Sequence, residues 1–515
     1  IYKYVYFPRS VSFIAPIFIG ILIIIHRIIL NYLINSGKDN INYQNNIIIY
    51  GINENTVSLL NSLRQTPNYG TVIGFIDNLK NFKKREINGI KIYRKDELNK
   101  LINEKKINEI IIGPKNYSKK KLSELFNSLN EYNIRIRKIA DTKNYLKNFI
   151  KKGLENKIDF YDIVNRPKIV VDIKILKKKI YNKNILVTGG GGSIGGELCI
   201  EILKHSPKKL YILETSEINL FNILNKIEQL FKQNKKKVKP ILGDCCDEKF
   251  LKFFFKNKSL DEIYHTAAYK HVNFGENNPY AMVKNNIIGT KNIIDLALKK
   301  KIKNFTFISS DKAVNPKSLL GHTKRFGEFL IRNIEKTNKN ISVNFTIVRF
   351  GNVIGSSGSV IPIFLDQINK DLPLTVTHKK VKRYFMSISE AVQLVINSSY
   401  LNKNGTKIFA LDMGKQLKIY DIAKRIIKLS GNTFIDKNYP RGDVRIKFIG
   451  LKKGEKISEE ITLGKNLSST SNSKIMICDE KMKKININNK FKKIQLAISS
   501  KNFNEDMIKK TLIIK

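Results

Sequence analysis

Short apolar, β-branched runs alternate with helical stretches along most of this 515-residue chain, and that alternation predicts an α/β fold. Two further observations shape the prediction. One run breaks into a glycine-rich turn that opens a helix, the pattern of a doubly wound parallel sheet. A long apolar segment precedes the first run. The expected order is an N-terminal transmembrane helix, a small α/β domain, a connector, a long α/β domain with a smaller C-terminal substrate-binding region, and a tail.

The apolar segment is Val11 to Ile34, VSFIAPIFIGILIIIHRIILNYLI. Its 24 residues would span about 36 Å as a helix, enough to cross a bilayer core. His26 and Arg27 interrupt it. Either they snorkel near one face or the helix ends around Ile25. A secretory signal is a rival reading, weakened by the missing small-residue cleavage site. A buried soluble helix is another. Lysines follow the segment, which puts the bulk of the chain in the cytoplasm by the positive-inside tendency. Residues 1–40 therefore read as a membrane segment, and the start at Ile1 instead of Met suggests further helices upstream.

Residues 41–140 carry the runs NIIIYG (Asn46–Gly51), TVIGFID (Thr71–Asp77), INGIKIY (Ile87–Tyr93) and EIIIGP (Glu109–Pro114), with a helical stretch from Thr56 to Leu63. They predict a small Rossmann-like domain. Its first turn, G-I-N-E-N-T, has Gly51 but lacks the later glycines that let a pyrophosphate approach, so the domain reads as degenerate. Residues 141–182 read as a connector, with a turn at Asn165–Pro167.

The long domain, residues 183–465, opens on NILVTGGGGSIGGE (Asn184–Glu197). Gly189 permits a tight strand exit, Gly192 lets backbone approach a pyrophosphate, and Gly195 lets helix pack on strand. Ser193 and Ile194 sit at the helix N-terminus, where N–H donors meet an anion. Glu214 ends the next strand, 19 residues beyond Gly195, where a carboxylate suits ribose hydroxyls and repels a 2′-phosphate. That favours NAD over NADP. Asp244 ends a third strand and suits the adenine amino group. In HTAAYKH (His265–His271), small Ala267 and Ala268 let backbone lie against the cofactor, and Lys270 counts as a further contact.

NFTFISSDKAVNPKSLLGHTKRFGE (Asn304–Glu328) ends an apolar strand at Ser309, Ser310, Asp311 and Lys312 and continues into a helix with Lys324. In short-chain dehydrogenases a strand-end hydroxyl and a Y-x-x-x-K helix meet beside the nicotinamide. Here Leu320 stands four residues before Lys324. Either Lys324 is a ribose anchor alone, or proton transfer has moved to Asp311 and Lys312.

These motifs resemble the membrane-bound nucleoside-diphosphate-sugar 4,6-dehydratases of bacterial polysaccharide biosynthesis, in the extended short-chain dehydrogenase/reductase superfamily. The resemblance covers nearly the whole chain. It adds VRFGNVIGSSGSVIP, RYFMSISEAVQLV, FALDMGK and IGLKKGEK to TGGGGSIGGE, HTAAYKHV and SSDKAVNP. Soluble members carry Tyr at the Leu320 position, and long membrane-bound members often carry Met.

The resemblance implies NAD-dependent dehydration of UDP-N-acetylglucosamine to a UDP-4-keto-6-deoxy sugar. Hydride leaves C4, a base takes the C5 proton, water leaves C6, and hydride returns to C6. Asp311 would be the general acid, Lys312 the base, with Ser310 and Lys324 beside them. Asn352, Arg383, Lys452 and Glu455 would face the substrate. The family usually has Arg-Pro where this chain has Lys452-Lys453, and lysine keeps the charge but loses the bidentate fork. A bacterial inner-membrane location, contact with lipid and homo-oligomers are implied as well. Two alternatives stay open: a UDP-sugar epimerase on the same fold, and an inactive membrane-tethered NAD-binding scaffold.

Composition narrows the field. Hydrophobic content of 42% with 10% aromatics excludes wholesale disorder. Lys+Arg exceed Asp+Glu by 93 to 44, a net charge of +49 that first suggests nucleic acid. The lysines lie in short scattered runs such as Lys119–Lys121, Lys177–Lys179 and Lys235–Lys237, whereas a nucleic-acid footprint is clustered. No nucleic-acid partner is expected. Cys199, Cys245, Cys246 and Cys478 show no C-x-x-C spacing, which argues against zinc ribbons and redox motifs. No metal is expected. Residues 466–515 carry no readable motif.

Overall fold

The computed structural model describes residues 18–27, 29–30, 45–65, 69–77, 86–113, 119–129, 131–138, 172–337, 342–356, 358–437, 439–440, 442–464, 467–480, 485–499 and 505–513. Two compact units emerge: residues 1–115 with 138–152, and residues 116–137 with 153–515.

Among the described residues no helix is long and apolar enough to cross a membrane. The transmembrane helix expected at Val11–Ile34 falls partly outside the described residues. Residues 18–27 and 29–30 are helical, and the rest of that segment lies outside the described residues. So do residues 141–171 of the connector, whose last part is a helix, Ile173–Ile180.

In the first unit the strands lie in the order Glu86–Ile87, Ile90–Tyr93, Thr71–Ile76, Asn46–Tyr50, Ile107–Ile112. The last four are parallel where they pair. Ile47, Ile48, Ile49, Phe75, Ile110 and Ile111 are all fully buried, as expected of parallel strands covered on both faces. The first turn is closed by the chain itself. Asp77 Oδ2 accepts from Ile52 N at 3.0 Å, and Asn53 caps the helix Glu54–Arg64 through a reciprocal pair with Thr56.

The second unit is built on a nine-stranded sheet. From one edge its strands are Leu467–Ser469, Ile475–Cys478, Thr406–Leu411, Asn344–Arg349, Asn304–Ile308, Glu262–His265, Asn184–Thr188, Lys209–Glu214 and Val238–Leu242. The seven from Thr406–Leu411 onward are parallel. Alternate residues feed two cores. Leu186, Phe305, Phe307 and Phe345 face one side, and Ile185, Val187, Ile212 and Val348 face the other.

The first two strands of that order pair antiparallel and come from the segment expected to be a tail. From residue 467 on, the described part of that segment belongs to this unit. The helices Ile487–Ser499 and Glu505–Leu512 bury Ile487, Phe491, Ile494, Ile508 and Leu512 in the core that also holds Phe326, Phe329 and Leu330 of the helix Leu319–Thr337. The substrate-side region adds a small parallel sheet of Leu374–Val376, Val444–Phe448 and Phe434–Ile435.

Candidate active site

A cavity of about 940 Å³ opens where the parallel strands end. Ligands of doubly wound sheets bind outside the carboxyl ends of the strands, so the position follows from the topology. The glycine loop forms one wall. Gly189 has φ of +65° and donates from its N–H to Leu213 O at 2.7 Å. Gly192 stands at the N-cap of the helix Ser193–Lys204. A Cβ on Gly195 would lie 2.1 Å from Gly189 O, and one on Gly191 would lie 2.7 Å from the Asn219 backbone carbon. Glycine is thus required by packing at two points. Gly189, Gly192, Ser193, Ile194 and Gly195 all line the cavity.

Glu214 braces this loop. Its Oε2 accepts from Gly191 N at 2.9 Å, and its Oε1 accepts from Thr215 N and Ser216 N at 3.0 and 3.1 Å. It is buried and does not line the cavity. Asp244 is not brought to the lining either, and its Oδ1 accepts from Cys246 N at 2.8 Å. Ala267 packs beneath the loop, within 2.7 Å of where a Gly189 Cβ would stand, while Ala268 and Lys270 line the cavity.

The strand Asn304–Ile308 delivers the chemistry-bearing residues. Ser310 Oγ donates to Asp311 Oδ1 at 2.7 Å and accepts from Lys312 N. Lys312 Nζ lies 3.0 Å from Asp311 Oδ1 and 3.4 Å from Asn352 Oδ1. Asp311 is fully buried behind the cavity wall and does not line it, and among the described residues its Oδ2 meets no hydrogen-bond partner. Ser310, Lys312, Leu320, Lys324 and Asn352 share the cavity wall. Lys324 Nζ donates to Ile308 O at 2.7 Å and lies 4.9 Å from the centre of the Phe307 ring. Burial, partly offset by Glu328, lowers its pKa to about 8.

Arg383, Lys452 and Glu455 line the substrate side. Arg383 is engaged by the chain itself, with Nη2 3.1 Å from Glu455 Oε1 and Nη1 donating to Lys382 O at 2.8 Å. Glu455 therefore orients Arg383.

Two arrangements escaped the sequence reading. His265 is fully buried between Thr188 Oγ1 at 2.7 Å and Thr290 Oγ1 at 2.9 Å. Thr290 Oγ1 donates to Asn286 O, so it accepts from His265 Nε2, and Nδ1 accepts from Thr188. Burial, with Lys324 nearby, lowers the His265 pKa to about 3. At the end of the strand Asn344–Arg349, which pairs with Asn304–Ile308, Arg349 is held on one side by Glu328, 2.6 Å away, and on the other by Glu480. The signal was a charged residue at the end of the buried run Phe345–Val348. Among the described residues no group of three His, Cys, Asp or Glu side chains is placed to hold a metal ion.

The polysaccharide biosynthesis protein family matches residues 185–480, and a second family, C2185-like N-terminal, matches residues 43–144. The capsular polysaccharide biosynthesis protein CapD of Staphylococcus aureus is 36% identical over 371 residues, covering 72% of this chain and 60% of that protein. The chain thus spans about three fifths of that relative's length. An inverting UDP-N-acetylglucosamine 4,6-dehydratase of Campylobacter jejuni is 31% identical over 281 residues, covering 54% of this chain and 76% of that protein. The solved structure of Pen from Bacillus thuringiensis superposes with a TM-score of 0.52 at 32% identity, covering 58% of this chain and 88% of that one. The match runs from the glycine-loop strand through the catalytic strand to Glu480, and on that evidence the chain belongs to the polysaccharide biosynthesis protein family.

Proposed function

We propose that the long domain is an NAD-dependent sugar-nucleotide 4,6-dehydratase acting on UDP-N-acetylglucosamine. The observation that carries this reading is Lys312 on the wall of the same cavity as the glycine loop, its Nζ 3.0 Å from the carboxylate of Asp311 buried behind that wall. The similarity to the Campylobacter dehydratase supports the substrate.

The glycine cradle fits a dinucleotide. Added Cβ atoms would collide at Gly189, Gly191 and Gly195, and helix N–H groups face the cavity where a pyrophosphate would sit. Gly189 to Gly195 would hold the pyrophosphate, and Lys324 the nicotinamide ribose. Glu214 stands outside the cavity lining and braces the loop, so the preference for NAD over NADP rests on its negative charge at the end of the strand Lys209–Glu214, where it would repel a 2′-phosphate. When bound, NAD supplies a reversible acceptor for hydride from the sugar. Lys312 Nζ would take the C5 proton, and Asp311, buried behind the wall, would supply a proton to the departing C6 hydroxyl through Ser310 Oγ, which is 2.7 Å from Asp311 Oδ1 and lines the cavity. Leu320 contributes no proton chemistry, so the C4 hydroxyl proton must pass to water, or to Lys312 and on to Asp311 before Lys312 takes the C5 proton; Lys312 returns that proton to C5 as hydride returns to C6.

The bacterial inner membrane, with the catalytic part in the cytoplasm, is part of the same proposal. Phe18, Ile19, Leu22, Ile23 and Ile24 support it, since all lie exposed on the described helical part of the apolar segment. Sedimentation with membranes after a carbonate wash tests this, and release into the supernatant contradicts it. The activity is tested by incubating the chain with UDP-N-acetylglucosamine and NAD and weighing the sugar nucleotide. A product of unchanged mass and altered stereochemistry would indicate an epimerase instead.

A further inference from the structure

We propose that Glu480 is a positioning residue for the Asp311–Lys312 pair, acting through Arg349, Glu328 and Ser309; the catalytic part of this proposal rests on the dehydratase reading above.

A continuous chain of contacts leads from the cavity to Glu480. Ser309 lines the cavity, and its Oγ donates to Glu328 Oε1 at 2.7 Å. Arg349 donates from Nε to Glu328 Oε1 at 2.7 Å and from Nη2 to Glu328 Oε2 at 2.6 Å. On its other side Arg349 donates from Nη1 to Glu480 Oε1 and from Nη2 to Glu480 Oε2, the latter at 3.0 Å. Arg325 bridges the two carboxylates, 3.0 Å from Glu328 and 2.9 Å from Glu480. Arg332 donates to the Glu480 carbonyl at 2.6 Å. Arg349 and Glu328 are fully buried.

The backbone transmits this anchoring to the site. Ser309 N donates to Val348 O at 2.9 Å and Asp311 N to Phe350 O at 3.1 Å, so the strand end bearing Asp311 and Lys312 is registered on the two residues flanking Arg349. Three guanidiniums face two carboxylates in this cluster. Without the Glu480 charge, three would face one in a buried setting, where an uncompensated charge forces rearrangement. Burial pushes the Glu480 carboxyl up, but Arg349 and Arg325 outweigh it and hold its pKa at about 2. The charge is therefore present at any working pH.

The test compares the full chain with Glu480→Gln, which keeps shape and removes charge, and Glu480→Asp, which keeps charge. Amide hydrogen exchange over residues 304–313 is read beside kcat, KM and NAD affinity. Exchange at residues 309–313 should quicken in Glu480→Gln while residues 184–188 stay protected. Its kcat should fall roughly tenfold or more, since small misplacements at a reacting centre cost that much. KM and NAD affinity should stay within about twofold, the mark of an interaction used only in the chemical step. Glu480→Asp should recover part of both effects. Unchanged exchange at 309–313 overturns the proposal. So does a joint collapse of kcat, KM, NAD affinity and melting temperature, which would make Glu480 a general structural prop. If the unmodified chain gives no dehydrated product, the dehydratase reading fails, and the exchange comparison still decides whether Glu480 positions the strand end.

Discussion

Lys312 and Asp311 are neighbours in sequence, yet their side chains turn toward each other, with Nζ 3.0 Å from Oδ1. The pair leaves Asp311 Oδ2 buried, with no hydrogen-bond partner among the described residues, facing Gly351, where an added Cβ would stand 3.0 Å away. Removing either partner should stop or greatly slow the elimination. Lys312→Ala should abolish dehydration, and Asp311→Asn should slow it on the order of 10²- to 10⁴-fold, the usual worth of general acid–base catalysis. Both variants should still bind NAD, measured by titration. Full turnover in Lys312→Ala would remove the lysine from the mechanism.

Leu320 lines the cavity and is 4% exposed. It carries no proton-transfer group, so Leu320→Tyr should leave turnover intact or raise it. The larger ring should cost about 1–3 kcal/mol of stability through overpacking. Steady-state rates beside a melting curve check both. Complete loss of turnover, with folding and NAD binding retained, would contradict the compensating role given to Lys312 or water.

Lys324 has a pKa lowered to about 8, chiefly by burial. Its amine is charged below that value and loses its charge above it. NAD affinity should therefore weaken as pH rises from 7 to 9, and Lys324→Met should bind more weakly and lose that pH dependence. Titration of the chain with NAD at the two pH values reads this without turnover.

His265 makes the fold sensitive to mild acid. Its pKa is lowered from 6.5 to about 3 by burial and by Lys324, so between those values the unfolded chain binds a proton that the native state does not. Stability then falls as pH drops below about 6.5, by up to about 1.4 kcal/mol per unit for this group. His271 and His322 are lowered too and add in the same direction. Glu480, lowered from 4.5 to about 2, contributes stability that is present above 4.5 and lost as pH falls toward 2, a separate window. Melting temperatures at pH 7.5, 6.0 and 5.0 should decline, and less steeply in His265→Gln.

Gly195→Ala would place a methyl group 2.1 Å from Gly189 O and 2.7 Å from Thr266 Oγ1. The loop must open to admit it. NAD affinity should drop sharply while the rest of the sheet stays folded, as followed by binding and circular dichroism.

Much of this site was legible because its determinants are local. The glycines lie within one turn, and Ser310, Asp311 and Lys312 are consecutive at the end of an apolar run, so strand, turn and helix patterns located them. Glu214 was found at its strand end, but its bonds to Gly191, Thr215 and Ser216 depend on how the loop folds back. Arg383 was legible as a cation, but its pairing with Glu455 joins residues 72 apart. The Glu480 network was beyond sequence reasoning. Its partners lie 131 and 155 residues away, and the edge hairpin that delivers it is short. The expected membrane span illustrates the opposite case: an apolar run is read easily, yet the structure describes only part of it and carries no spanning helix among the described residues.

The measurement that bears most directly on the proposed activity is the mass of the sugar nucleotide after incubation with the chain and NAD. Conversion of UDP-N-acetylglucosamine to a product lighter by one water, lost in Lys312→Ala, is the outcome expected of the Asp311–Lys312 site. No dehydrated product from any UDP- or dTDP-hexose, with NAD shown to bind, would contradict it.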